Sequence, residues 1–384
     1  MPTKYDVFAK VIEKAPCKPK DLKFDKPIYS HLNSLVSDNW IKKTKKGLLN
    51  PIKSEETKFI FEIFKWSLKN NVNYNFWFSE NLKLVLKVLS KSVPVINPLK
   101  LSNNKKNSEI VHFFEENQFL ILWKRKPKLG TLLNHKILSL LKKKYGLKDK
   151  VKEKYLSYYE ISKKVLGIFQ KEINPFEKKI FEFLAGSAQL EGSTVSIGET
   201  INLIMHSIYP NKPSQDIQMV KNLNEAINYV FEHLDEELTL EHLKEVNKIC
   251  LFSLHKGAGK FKKTQNKILG NPNFKTTPPN KVVVELEKFC EQFNKIKTRK
   301  NCLKQLGFIH NQHQRIHGFV DGNSRTTRLL VNWLLMKFKF PILVIKIGAF
   351  EKYMGLTKLS SKRNDDDLRN FLLHLILHEE LLNN

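Results

Sequence analysis

The stretch "QRIHGFVDGNSRTTRLL", residues 314–330, decides how the rest of the chain is read. Its centre, "DGNS", is a turn: Gly322 permits backbone angles closed to most residues, and Asn323 tolerates them. At Ser324–Arg325 the turn opens into a helix, where consecutive backbone N–H groups and the helix dipole make an anion site. Arg325 and Arg328 stand three apart and therefore share one helical face. Two guanidinium forks above a nest of N–H donors suit a polyphosphate. Asp321 is a candidate Mg²⁺ ligand, because that ion takes one or two carboxylates together with phosphate oxygens. His317 lies across the turn, where a base could meet a reacting phosphorus. These are the parts that phosphate-ester transfer requires.

Outward from this stretch the pattern is helical over most of residues 155–384. "SIGETINLIMHSI" opens with a capping box, Ser196 and Glu199. "CLKQLGFIHNQHQRIH" (302–317) leads into the motif and "TTRLLVNWLLMKFKF" (326–340) leads out of it. His310 and His313 on the preceding helix read as structural. The one extended candidate is "KTQNKILGNPNFKTTPP" (263–279), a hairpin with Gly270-Asn271 near its tip. "SAQLEG" (187–192) places Ser187 and Glu191 four apart on one helical face, with Glu191 just before Gly192. A negative charge at a helix C-terminus is mildly unfavourable, so something other than local stability keeps it there.

The chain has 384 residues, enough for two or three domains with their own cores. Its formal net charge is +28, and +18 of that falls in residues 1–150. Such an excess favours polyanions such as nucleic acid, although a general Lys-rich bias accounts for it equally well. No apolar run is long enough to span a bilayer, and "MPTKYDVFAK" lacks the apolar core of a signal peptide. Cys17, Cys250, Cys290 and Cys302 form no CxxC pair, and no His/Cys/Asp cluster has metal-ligand spacing. The expectation is a cytoplasmic protein with reduced thiols and no membrane partner.

The first fifty residues read as three helices, within 5–15, 18–22 and 26–40, followed by a basic hairpin whose turn ends at Gly47. That order resembles a winged helix-turn-helix. In such a module Tyr29, Ser30, His31, Asn33 and Ser34 would face a DNA major groove, and Lys42, Lys43, Lys45 and Lys46 would lie along phosphates. Residues 53–150 mix helices with an apolar strand-like run, Phe119 to Trp123, and carry no functional motif.

"HGFVDGNSRTTR" resembles the signature of the Fic family, His-x-Phe-x-(Asp/Glu)-Gly-Asn-(Gly)-Arg-x-x-Arg, at His317, Phe319, Asp321, Gly322, Asn323, Arg325 and Arg328. The resemblance implies transfer of AMP from ATP to a protein hydroxyl, on a target protein or on the chain itself. By the same resemblance His317 is the general base, Asp321 holds Mg²⁺, and Asn323 contacts the α-phosphate. Gly322 and Ser324 would offer backbone N–H groups, Arg325 and Arg328 would grip the outer phosphates, and Phe319 would face the core. Gly318 stands where the family usually has proline, which would loosen the loop. Ser324 stands where glycine is usual; members with lysine there act as kinases, and a small uncharged serine keeps AMP transfer favoured.

The family's inhibitory helix, Ser/Thr-x-x-x-Glu-(Gly/Asn), is matched by Ser187, Glu191 and Gly192, which would set Glu191 against Arg328. The hairpin at 263–279 matches the family's flap in position, with Thr277, Pro278 and Pro279 at its base, and Tyr353 would line the adenine pocket. The expected fold is mainly α: an all-helical core with a small β-hairpin flap (151–384), preceded by a winged helix-turn-helix (1–52) and an α+β middle domain (53–150). Two rival functions stay open, removal of AMP at the same site and DNA-binding regulation with the helical core as a nucleotide sensor. A homodimer is also left open.

Overall fold

A computed structural model describes residues 2–91, 104–149, 152–170, 174–266, 274–357 and 363–383. The chain divides into two compact units, Met1–Lys83 and Leu84–Asn384.

In the first unit, α1 (Lys4–Lys14) begins at a capping box in which Thr3 and Asp6 satisfy each other's backbone N–H groups. The segment read as a second helix is a single 3₁₀ turn, Pro19–Leu22, ended by Lys23 in the left-handed region. Four residues cannot supply α-type bonding beyond one turn. α2 (Tyr29–Ser37) follows, then an antiparallel hairpin of β1 (Ile41–Lys43) and β2 (Leu49–Pro51). Gly47 closes the hairpin turn at φ +75°, as its sequence position indicates. α3 (Glu55–Lys69) belongs to the same unit, because Ile60 and Phe64 pack into one core with Phe8, Leu32, Trp40 and Leu49.

The second unit is helical apart from the hairpin β3 (Leu120–Lys124) and β4 (Leu129–Leu132). The span 53–150 is divided between the two units: α3 shares a core with the amino-terminal elements, and the residues from 104 on pack with the carboxy-terminal helices. The physical reason is visible at Ile121, Trp123 and Leu133, which share one apolar core with Phe183, Leu223, Leu306, Trp333 and Leu372. Polar contacts repeat the link. Leu122 donates its N–H to His378 Nδ1 at 3.0 Å, and Gln118 donates to Glu379 at 2.8 Å.

Labelled in chain order, α4 is Leu82–Leu89, α5 Lys105–Glu116, α6 Lys136–Lys144, α7 Tyr158–Leu166, α8 Lys178–Gln189, α9 Ile197–His206, α10 Ser214–Glu232 and α11 Leu240–Leu251. α12 is Val282–Asn294, α13 Arg299–Ile316, α14 Asn323–Lys337, α15 Phe350–Leu356 and α16 Asp365–Asn383. α9 carries the capping box expected of Ser196 and Glu199. α13 and α14 form the heart of the unit. α14 is buried along nearly its whole length, so its first turn is presented from a rigid base. The described flanks of 263–279 carry no strand ladder, and the Gly270-Asn271 tip lies outside the described residues. Among the described residues no helix is long and apolar enough to cross a membrane.

Candidate functional site

His317 ends α13 as its C-cap, with φ 48° and ψ 50° in the left-handed region. That kink turns the chain out of the helix and into the loop 318–322. Two short backbone bonds pin the loop: Lys262 N–H donates to Gly318 O at 2.9 Å, and Val320 N–H donates to Lys260 O at 3.2 Å. Between them Phe319 is fully buried against Phe261 and His313, as expected of a loop anchor. Gly318 is not a loose point. A Cβ there would sit 2.9 Å from Leu286 and 3.0 Å from Val282, so the site is filled by α12 side chains.

Asn323 ties the loop to the start of α14. Its Oδ1 accepts the Phe319 N–H and its Nδ2 donates to Phe319 O, both at 3.0 Å. The amide is spent on holding the loop closed, a positioning task. Gly322 adopts φ +74° and starts α14 without a side-chain cap, which leaves the first-turn N–H groups facing the loop mouth. A side chain at Gly322 would also meet Asn247 Nδ2 at 2.9 Å. Asn247, on α11, is fully buried and donates to Asp321 O at 2.9 Å while accepting the Gly259 N–H at 3.0 Å.

Around this turn lie the charges. The Asp321 side chain is 52% exposed at the rim and meets Arg325 Nη2 at 3.4 Å. One solvent-facing carboxylate beside an N–H nest fits Mg²⁺, which takes its remaining ligands from phosphate and water. Arg325 is buried, and its Nε has no hydrogen-bond partner among the described residues. A buried guanidinium with a spare donor is what an anionic ligand would satisfy. Arg328 is also buried, and three bonds hold it: Nε donates to Ser187 Oγ at 2.8 Å, and Nη2 to Ser187 O at 3.0 Å and Glu191 Oε1 at 2.8 Å. α8 ends at Gln189, and the turn through Gly192, φ +97°, swings Glu191 over the arginine.

Tyr353 is not on an open wall. It is buried, with its hydroxyl 2.6 Å from His310 Nε2, and burial pushes its phenol up to about 12. His310 and His313 are structural, as read from sequence. His313 Nδ1 meets Thr327 Oγ1 at 2.7 Å, and burial lowers its imidazole to about 3, so it stays neutral. Thr277 donates its N–H to Arg315 O at 3.2 Å, and Pro278 caps a 3₁₀ turn, Pro279–Lys281. Thr277 and Pro278, with Lys275, Lys281 and Arg315, line a cavity of about 660 Å³.

Two supporting residues carried no signal in the sequence, Asn247 and Lys262. Lys262 is buried, and its Nζ donates to Thr276 Oγ1 at 2.9 Å and to Ile316 O at 3.3 Å, which caps α13 just before His317. Burial lowers its ammonium to about 8. Neither residue stands in a motif; only the packing of α11 and of the residues around Lys262 and Thr276 onto the loop gives it a part.

The helical body thus presents a histidine, a rim carboxylate and two buried arginines around one helix start, an arrangement suited to an anionic ligand. Residues 237–335 match the model of the Fic/DOC family. The chain is 28% identical over 202 residues to the protein adenylyltransferase Fic of Nematostella vectensis, covering 50% of this chain and 45% of that one. It is 23% identical over 209 residues to protein adenylyltransferase fic-1 of Caenorhabditis elegans, covering 52% and 40%. The chain thus spans less than half the length of these curated relatives. Among solved structures, a Fic domain containing signaling protein from Bacteroides thetaiotaomicron is 23% identical, with a TM-score of 0.49, covering 58% of this chain and 93% of that one.

Proposed function

We propose that the chain transfers AMP from ATP to a hydroxyl of a protein, itself included, and that Glu191 restrains the transfer. The observation that carries this reading is the pair of buried arginines on α14: Arg325 keeps a spare donor, and Arg328 is closed off by Glu191 at 2.8 Å. In this reading His317 takes the proton of the target hydroxyl as that oxygen bonds to the α-phosphorus and pyrophosphate leaves. The first-turn N–H groups of α14, Ser324 among them, face the charge that develops on the α-phosphate. Asn323, Asn247 and Lys262 hold the loop so that His317 and those donors keep their places. Arg325 and Arg328 grip the outer phosphates once Arg328 has released Glu191. Asp321 would hold Mg²⁺, which when bound neutralises phosphate charge.

The test is to incubate the protein with labelled ATP, and separately with the other nucleoside triphosphates, alone and in a cell extract. Mass spectrometry then finds chains that gain the mass of AMP. His317→Ala should abolish transfer and leave ATP binding largely intact, because the N–H nest and both arginines remain. Transfer at a near wild-type rate in that variant, or a gain of phosphate in place of AMP, overturns the assignment.

The same contact favours a second reading, removal of AMP from a modified protein. Glu191 is 26% exposed over the site, where its carboxylate could orient water. Release of AMP from a pre-modified chain, lost in Glu191→Gly, would select this direction. The amino-terminal unit carries a separate proposal, binding of duplex DNA. Tyr29 is 68% exposed at the start of α2, and Lys42, Lys43, Lys45 and Lys46 all project from the hairpin.

A further inference from the structure

The connection between α10 and α11 brings together His233, Glu236 and His242, whose ligand atoms all lie within 4.8 Å of one another. The spacing H-x2-E-x5-H follows no motif recognised in the sequence. The cluster arises because α10 ends at Glu232, the chain turns back, and α11 begins at Leu240 under a Thr239 cap.

His233 Nδ1 stands 2.8 Å from Tyr229 O. A carbonyl can only accept, so Nδ1 donates to it, which leaves Nε2 as the nitrogen able to take a metal. A backbone carbonyl on one ring nitrogen is the usual companion of a metal on the other, since it fixes both tautomer and ring plane. His242 Nε2 lies 3.3 Å from Glu236 Oε2. Two ligand atoms about 2.0–2.1 Å from one tetrahedral ion stand roughly 3.3 Å apart. The rings are set by their neighbours: His233 lies stacked on Tyr229 at 4.1 Å, and His242 lies between His233 at 5.4 Å and Trp333 at 5.5 Å. The loop backbone is clasped as well. Asn294 accepts the Leu238 N–H at 2.8 Å and donates to Leu238 O at 2.9 Å. Glu236 has its side chain 55% exposed, while its backbone carbonyl accepts from Lys337 at 2.6 Å.

We propose that His233, Glu236 and His242 form a site for a divalent transition-metal ion of the Zn²⁺ type. Two imidazoles and a carboxylate select that class over Mg²⁺ and Ca²⁺, which prefer oxygen ligands throughout. Three protein ligands leave one position for water. The ion would staple the α10–α11 turn against Trp333 of α14, independently of any nucleotide.

The experiment is a titration of the untagged full chain with Co²⁺, read by visible absorption, then displacement by Zn²⁺, in excess Mg²⁺ and without nucleotide. One equivalent should bind with a tetrahedral spectrum, and Zn²⁺ should raise the melting temperature. His233→Ala and His242→Ala should abolish both effects. Glu236→Gln, a conservative change at a half-exposed position, should weaken binding by about tenfold or more with an unchanged metal-free melting temperature. That variant decides the matter even if a histidine variant fails to fold. Absence of stoichiometric binding to the wild-type chain, or Glu236→Gln binding as tightly as wild type, overturns the site.

Discussion

Glu191 and Arg328 are 137 residues apart in sequence and 2.8 Å apart in the structure. The charge pair sits where Arg328 is almost fully buried, so the guanidinium cannot serve a γ-phosphate and the glutamate together. Glu191→Gly should therefore raise auto-modification, measured as AMP incorporated per minute, by tenfold or more. Such a gain needs only about 1.4 kcal/mol of relief. Adding Arg328→Ala should erase the gain, because the freed arginine is what positions the nucleotide. If neither AMP addition nor AMP removal changes in Glu191→Gly, the contact is a structural ion pair and no brake. The Asn323 amide, for its part, ties the loop to the start of α14 through the Phe319 backbone.

At the scale of elements, the amino-terminal unit tests how far a familiar order of helices and strands carries. A 3₁₀ turn stands where a second helix is expected, the helices and hairpin around it follow in the expected order, and Leu32 and Leu35 of α2 pack inward while Tyr29 and Asn33 stay outside. Val36 is 44% exposed, because α2 ends a residue later and its last turn leaves the core. If the outer face and the hairpin turn meet DNA, changing Lys42, Lys43, Lys45 and Lys46 to Ala should weaken duplex binding. The slope of log affinity against log salt should flatten by about one unit per lost phosphate contact. A gel shift at low salt with no detectable complex for the wild-type chain would leave the unit as a protein-docking or packing module.

For the whole molecule, the larger unit carries four buried histidines whose imidazoles burial pushes well down: His135 and His374 to about 4, His313 and His378 to about 3. Unfolded, each would titrate near its ordinary value, about 6.5. The unfolded chain then binds more protons than the native one below that value, so stability is intact above about pH 6.5 and falls as the pH drops. Each histidine contributes up to about 1.4 kcal/mol per pH unit through that window. Urea midpoints measured between pH 7 and 5 should drop steadily. A flat profile would mean that these rings are not buried neutral.

What the sequence alone determined is local: the turn at Gly322, the helix start that follows, the shared face of Arg325 and Arg328, the capping box of α9 and the hairpin turn at Gly47. Each follows from interactions among residues a few positions apart, which periodicity and turn chemistry report directly. The resemblance carried by His317–Arg328 also set Glu191 against Arg328 before any coordinates did so. Only the tertiary structure decided the rest. It joined residues 104–145 to the carboxy-terminal helices, because Ile121 and Trp123 share their core and composition cannot say which apolar faces meet. It gave Asn247 and Lys262 their places beneath the loop, buried Tyr353 against His310, and brought His233 and Glu236 to His242. These are contacts between distant segments, and they are settled by which surfaces pack together to exclude water rather than by any local pattern.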